Sequence, residues 1–222
     1  MQIEIKGVSK RYRRKKVLRG ISVSAQSGEC IGILGGNGSG KSTLLSVLAG
    51  VQKENTGVFL CDGVDLFTHR TKRRHLLGYV PQGTPLLEEL TAKDNLRLWY
   101  APKELQRSLQ DGLLKTLGID AFMNTPVSKM SGGMKKRLSI GCAVSENPPI
   151  LLLDEPMAAL DITCKQEISA YLQQYKQAGG IVLLVTHDVT ELALCDRLYI
   201  LKNGILHPFV FEGDVDALVK SL

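Results

Sequence analysis

Three short stretches of the chain are apolar nearly from end to end: CIGIL at 30–34, ILLLD at 150–154 and IVLLVT at 181–186. A strand with one face in water alternates apolar and polar side chains, so uninterrupted runs of this length belong to strands covered on both faces, as in a parallel sheet flanked by helices. Elsewhere Ile3 to Ile5 and Ile21 to Ala25 do alternate, as half-exposed strands should, and Val58 to Leu66 contains the hairpin signal Asp62-Gly63. Asn203-Gly204 is a second hairpin signal. From Thr91, which opens a T-x-x-D capping box closed by Asp94, to about Glu146 the pattern is helical without a strong strand. The chain therefore reads as α/β with a helical insertion and a short closing helix over 214–222.

At 222 residues, 44% of them hydrophobic and 23% charged, the chain can bury one large core, or a core with a subdomain. Its apolar runs fall far short of the roughly 20 residues that span a bilayer, and no basic start leads into an apolar stretch, so a cytosolic chain is expected. Five cysteines, Cys30, Cys61, Cys142, Cys164 and Cys195, lack any CxxC spacing and are expected to be reduced core fillers. A net charge of +6 suggests anionic partners without choosing among them. The basic clusters KRYRRKK at 10–16 and HRTKRRH at 69–75 lack the interleaved aromatics of a nucleic-acid surface and are expected to be solvated faces. His69, His75 and His207 fit no pattern and are expected at the surface.

The CIGIL run is followed at once by GGNGSGKST at 35–43, which fits G-x-x-x-x-G-K-[ST] and precedes a helical stretch from Thr43 to Ala49. Backbone N–H groups of such a loop wrap a phosphate chain, the helix start adds its positive end, Lys41 brings a charge to the β- and γ-phosphates, and Ser42 can reach a magnesium ion. The ILLLDEP run delivers two acids at the carboxyl end of a buried strand, where open α/β sheets bind ligands. There Asp154 would hold magnesium and Glu155 would polarise the water that attacks the γ-phosphate.

KMSGGM at 129–134 looks like a helix start stripped of side chains, and a lone histidine, His187, follows the IVLLVT run. Together with the loop at 35–43 and the acids at 154 and 155, these features resemble the ATP-binding cassette family, nearly end to end and in the family's order. The resemblance implies a P-loop core with a mostly parallel central sheet, an antiparallel β subdomain and an inserted helical subdomain, with the core at about 1–85 and 147–222 and the helices at about 86–146. It implies ATP and Mg2+ as ligands, with Gly35, Gly36, Asn37, Gly38, Ser39, Gly40, Lys41, Ser42 and Thr43 around the phosphates and Tyr12, placed before the first hairpin strand, stacked on adenine. Gln82 of GYVPQ would touch magnesium and the attacking water, His187 the γ-phosphate, and Asp161 the dimer interface. The metal set would be Ser42, Gln82 and Asp154, and Ser131, Gly132 and Gly133 would bind the ATP of a second subunit.

The implied partners are that second ATP-binding subunit, identical or related, and a transmembrane permease at the cytoplasmic face of a membrane; nucleic acid is not expected. Two departures stand out. Gly36 occupies a position where the family often has proline, and Met130 and Met134 replace the commoner leucine and glutamine of LSGGQ. SGGMKKRLSI is most similar to cassettes that drive drug, polysaccharide or lipid exporters. The competing readings are a soluble cassette ATPase acting on ribosomes, DNA or iron–sulfur assembly, disfavoured by the lack of sustained heptads between Lys41 and Asp154, and a non-hydrolysing subunit, disfavoured by Glu155 and His187.

Overall fold

The chain begins with a long antiparallel hairpin, β1 (Gln2–Tyr12) and β2 (Lys15–Gln26). Register shifts after Ile5, Val8 and Lys10 break the period of two, so the strands extend well past the alternating segments visible in the sequence. Tyr12 is the last residue of β1 rather than a residue ahead of the hairpin. β3 (Cys30–Leu34) leads into α1 (Lys41–Ala49), which starts two residues before Thr43. β4 (Thr56–Cys61) and β5 (Val64–Asp65) meet at Asp62 and Gly63, whose φ values of 45° and 80° are the left-handed pair of a tight hairpin turn. The second basic cluster is α2 (Arg70–Leu76), followed directly by β6 (Leu77–Val80), a strand too short and too glycine-interrupted for its pattern to show.

The helical insertion holds α3 (Ala92–Arg97), α4 (Pro102–Gln110), α5 (Leu113–Thr116) and α6 (Gly132–Ala143). The capping box forms as expected: the Thr91 hydroxyl oxygen accepts from the Asp94 N–H at 3.2 Å and its O–H donates to Asp94 Oδ2 at 2.5 Å. Then come β7 (Ile150–Asp154), α7 (Ile162–Gln177), β8 (Ile181–Val185), α8 (Val189–Leu192), and the hairpin of β9 (Arg197–Lys202) and β10 (Ile205–Phe209) turning at Asn203-Gly204. This computed structural model describes residues 1–158, 160–214, 216, 218 and 220, so the closing helix expected over 214–222 lies largely outside the described residues.

Among the described residues the strands make two sheets: an antiparallel one in the order β2-β1-β4-β5, and a second in the order β10-β9-β3-β8-β7-β6, parallel except for its terminal hairpin. Every residue of β3, β7 and β8 is buried. Alternate residues of these strands face different cores. Ile150, Leu152, Ile181 and Leu183 pack with Leu44, Leu45 and Leu48 of α1 and with Ile3, Ile5 and Phe59 of the antiparallel sheet. Leu151, Leu153, Val182 and Leu184 pack with Leu96, Leu138 and Ile140 of the insertion and with Ile168 and Leu172 of α7. Two-sided burial is thus the reason for the unbroken apolar runs. Because β6, β7, β8 and β3 run parallel, the loops after their carboxyl ends emerge along one edge.

All five cysteines are free thiols, four buried and Cys195 half-buried, with Cys30 Sγ 3.7 Å from Cys195 Sγ. Arg11 to Lys16 are exposed at the hairpin tip and α2 buries none of its residues, so both basic clusters are solvated; His69, His75 and His207 are exposed. No helix among the described residues is long and apolar enough to cross a membrane. Leu152 is fully buried between α1 and the antiparallel sheet. Leu152→Ala should therefore destabilise the chain by about 3 kcal/mol in denaturant unfolding, and a loss below about 1 kcal/mol would contradict this packing.

Candidate nucleotide site

The loop after β3 closes around Lys41. Its Nζ donates to the Gly35 carbonyl at 2.7 Å and the Gly36 carbonyl at 3.2 Å, and the side chain is almost fully buried. Burial pushes the ammonium pKa down, and the charges of Glu155 and Asp154 oppose that shift. Gly40 begins α1 at φ 108°, and a Cβ there would stand 2.9 Å from Val17 Cγ1, so the turn excludes a side chain twice over. No side chain caps α1 and no acid sits in its first turn, which leaves its first N–H groups open to an anion. Asn37, Gly38 and Ser42 are exposed, while Gly36 and Thr43 are half-buried. Ser39 Oγ is buried and has no hydrogen-bond partner among the described residues.

Opposite the loop, β7 ends at Asp154, which is 1% exposed and whose Oδ1 makes no hydrogen bond among the described residues. Burial raises its pKa, against a hydrogen bond from the Ser42 hydroxyl. A buried carboxylate oxygen without a donor, beside a hydroxyl at a phosphate loop, suits a hard divalent cation. The next residue, Glu155, takes a left-handed backbone with φ 49°, rare for a residue with a side chain. Its N–H donates to the Val185 carbonyl at 2.9 Å, which ties the turn to β8.

That turn delivers the Glu155 carboxylate to two partners from separate strand ends. Gln82 Nε2 donates to Oε2 at 2.9 Å, and His187 Nδ1 lies 3.0 Å from Oε1. Three residues picked out from the sequence therefore meet in one hydrogen-bonded group, with the His187 side chain 58% exposed and Glu155 nearly enclosed. Tyr12 is 42% exposed, its hydroxyl donating to Gln52 Oε1 and its ring 5.2 Å from Lys10 Nζ.

A second group lies at the start of α6. The Ser131 hydroxyl oxygen accepts from the Met134 N–H at 3.2 Å, and Ser131 and Gly132 are exposed. Gly133 is buried against α7, where a Cβ would stand 2.4 Å from Cys164 Sγ. Asp161 sits alongside and caps α7 by accepting from the Cys164 N–H at 2.9 Å, a bond that holds its pKa low. Asp161 is thus the N-cap of α7. Among the described residues no hydrogen bond joins Ser131, Gly132 or Gly133 to residues 35–43.

Two buried charges went unnoticed in the sequence. Lys136 of α6 is 5% exposed, and its Nζ donates to the Pro81 and Gln82 carbonyls at 3.3 and 3.2 Å. Its signal is faint but present: it lies three residues after Gly133 and four before Ile140, on a face where both neighbours are buried. Glu191 of α8 is 1% exposed, and one of its carboxylate oxygens has no partner among the described residues.

A glycine loop between strand and helix, with two acids at the end of a neighbouring parallel strand, defines a nucleotide-binding domain of the P-loop class. The family model described as ABC transporter matches residues 18–158, and the chain belongs to that family. It is 35% identical to the Nod factor export ATP-binding protein I of Sinorhizobium fredii, over 99% of this chain and 64% of that protein. It is 34% identical to the spermidine/putrescine import ATP-binding protein PotA of Mesoplasma florum, over 96% of this chain and 62% of that protein. The chain thus spans under two thirds of the length of both relatives. Among solved structures, an ATP-binding cassette in a dimeric post-hydrolysis state with ADP and Pi bound superposes with a TM-score of 0.84 at 28% identity, covering 96% of this chain and 100% of that one.

Burial pushes the Glu191 carboxyl up to about 7 from 4.5, with a hydrogen bond from Thr186 and the charge of Lys165 pulling it down and Asp188 pushing it up. Between those values the folded chain holds a proton that the unfolded chain has released, so this contribution to stability is full below 4.5 and is lost as pH rises through about 7. The stability of the wild type relative to Glu191→Gln should therefore fall by about 2 kcal/mol from about pH 5 to about pH 8. A pH-independent difference in denaturant midpoints would contradict it.

Proposed function

We propose that this chain is the ATP-hydrolysing subunit of a membrane transporter and acts as one half of a head-to-tail pair enclosing two ATP molecules. The observation that carries the reading is the Glu155 carboxylate held between Gln82 and His187 beside the loop that buries Lys41. In this reading the N–H groups of the loop at 35–43, those at the open start of α1 above all, and the Lys41 ammonium bind the phosphates, Tyr12 stacks on adenine, and Asp154, Ser42 and Gln82 hold Mg2+. When bound, that ion supplies charge neutralisation for the terminal phosphates.

Glu155 then orients a water and accepts its proton at a carboxylate oxygen as the water oxygen bonds to the γ-phosphorus and the bond to ADP breaks. Gln82 and His187, each engaging one of the two oxygens, fix the orientation of the carboxylate toward the water. Ser131, Gly132 and Gly133, presented by an uncluttered helix start, bind the triphosphate of the other subunit, and Asp161 lies at the same junction.

The division into a core at about 1–85 and 147–222 and a helical insertion at about 86–146 belongs to this reading. So does a location at the cytoplasmic face of a membrane. A groove lined by Arg70, Arg73, Arg74, Leu86 and Trp99 runs between α2 and the insertion, close to the loop of Gln82, and is read as the dock for the transmembrane subunit. Its exposed Trp99, 59% accessible, suits an apolar anchor from that subunit. Export is the direction favoured by the likeness of SGGMKKRLSI to exporter cassettes and by the name of the Nod factor relative.

Glu155→Gln should keep ATP affinity within about twofold while lowering kcat by at least about 100-fold and trapping an ATP-bound dimer in size-exclusion chromatography. Wild-type turnover in this variant would remove Glu155 from its role. Lys41→Ala should weaken ATP binding by at least about tenfold in calorimetry, and unchanged affinity would count against the phosphate loop.

A further inference from the structure

We propose that Lys136 is a positioning residue: from α6 it holds the backbone of the Gln82 loop, and through Gln82 it sets the Glu155 carboxylate. The inference rests on the assignment of Gln82 and Glu155 given above. Three cations stand in a row at 135–137, and the helix sends them in three directions. Lys135 reaches outward to Glu88 at 3.1 Å. Arg137 pairs with Glu167 at 2.7 Å and donates to the Leu117 carbonyl at 3.2 Å. Lys136 points inward, nearly fully buried, with no carboxylate in ion-pair range among the described residues.

A buried ammonium is costly unless its protons find acceptors, and an apolar side chain of the same length would fill the space without that cost. The acceptors here are the Pro81 and Gln82 carbonyls, at 3.3 and 3.2 Å. They lie in the loop that carries the Gln82 amide to Glu155 Oε2. Burial pushes the Lys136 ammonium pKa down, and the charges of Asp154, Glu155 and Glu191, which face it from the neighbouring strand and helix ends, oppose that shift. The result is a continuous series of hydrogen bonds from α6 to the two carbonyls and from the Gln82 amide to Glu155. The amino end of α6 carries Ser131 to Gly133, so one helix is tied both to the face offered to a second subunit and to the orientation of the acid in its own site.

The test is a double-mutant cycle on the purified full chain, with kcat for ATP hydrolysis and ATP affinity measured separately. Lys136→Met matches the volume and removes the donor; it should lower kcat by at least about tenfold with ATP affinity within about twofold. Lys136→Arg, which restores a donor, should recover most of the loss, and serves as the second variant should Lys136→Met fold poorly. In a Gln82→Ala background, where the link to Glu155 is already broken, Lys136→Met should cost less than about twofold further. Unchanged kcat in Lys136→Met, failure of Lys136→Arg to exceed it, or equal losses in both backgrounds would each overturn the inference while leaving the Gln82 assignment in place. Wild-type kcat in Gln82→Ala alone would instead remove the assignment beneath it, and the inference with it.

Discussion

The structure depends on the burial of one parallel sheet from both sides. β3, β8 and β7 have no water-facing residue, so α1 and the antiparallel sheet must cover one face while the helical insertion and α7 cover the other. Once the strands are parallel and sandwiched, their carboxyl ends share an edge, and chain segments more than 100 positions apart in sequence deliver the glycine loop and the two acids to the same place. The site follows from how the core is built.

Along that edge the polar groups are held tightly on one side and left open on the other. Glu155 has both carboxylate oxygens engaged and a constrained left-handed backbone, and Lys41 is folded onto the Gly35 and Gly36 carbonyls. By contrast Asp154 Oδ1 and Ser39 Oγ have no hydrogen-bond partner among the described residues, and no side chain caps the first turn of α1. Donors and acceptors left unsatisfied at a buried edge cost stability, and their clustering around one loop is what a charged ligand with phosphates and a metal would offset.

Much of this was legible in the residues, for physical reasons that also explain what was not. The unbroken runs announced the central strands because two-sided burial removes every polar residue, and Asp62-Gly63 and Asn203-Gly204 announced their turns because few other pairs accept two left-handed residues. β6 escaped because four residues with a glycine carry no period, and the outer parts of β1 and β2 escaped because bulges reset theirs. At the site, the loop and the acids were visible from local pattern, whereas Gln82, His187 and the SGG segment were found through family likeness, since nothing in a lone loop glutamine or histidine foretells its neighbours. Lys136 was hidden by the company it keeps: in a row of cations a single inward-facing one looks like the rest.

The cap of α6 carries a consequence of its own. Ser131 spends one lone pair of its hydroxyl on the Met134 N–H, and that bond fixes the oxygen in space while leaving its hydrogen uncommitted among the described residues. The same atom can thus fasten its own helix and greet a visitor, with no rearrangement between the two tasks. Exchange for alanine would strip both at once, while aspartate, a good cap in its own right, would keep the fastening and turn the greeting into repulsion.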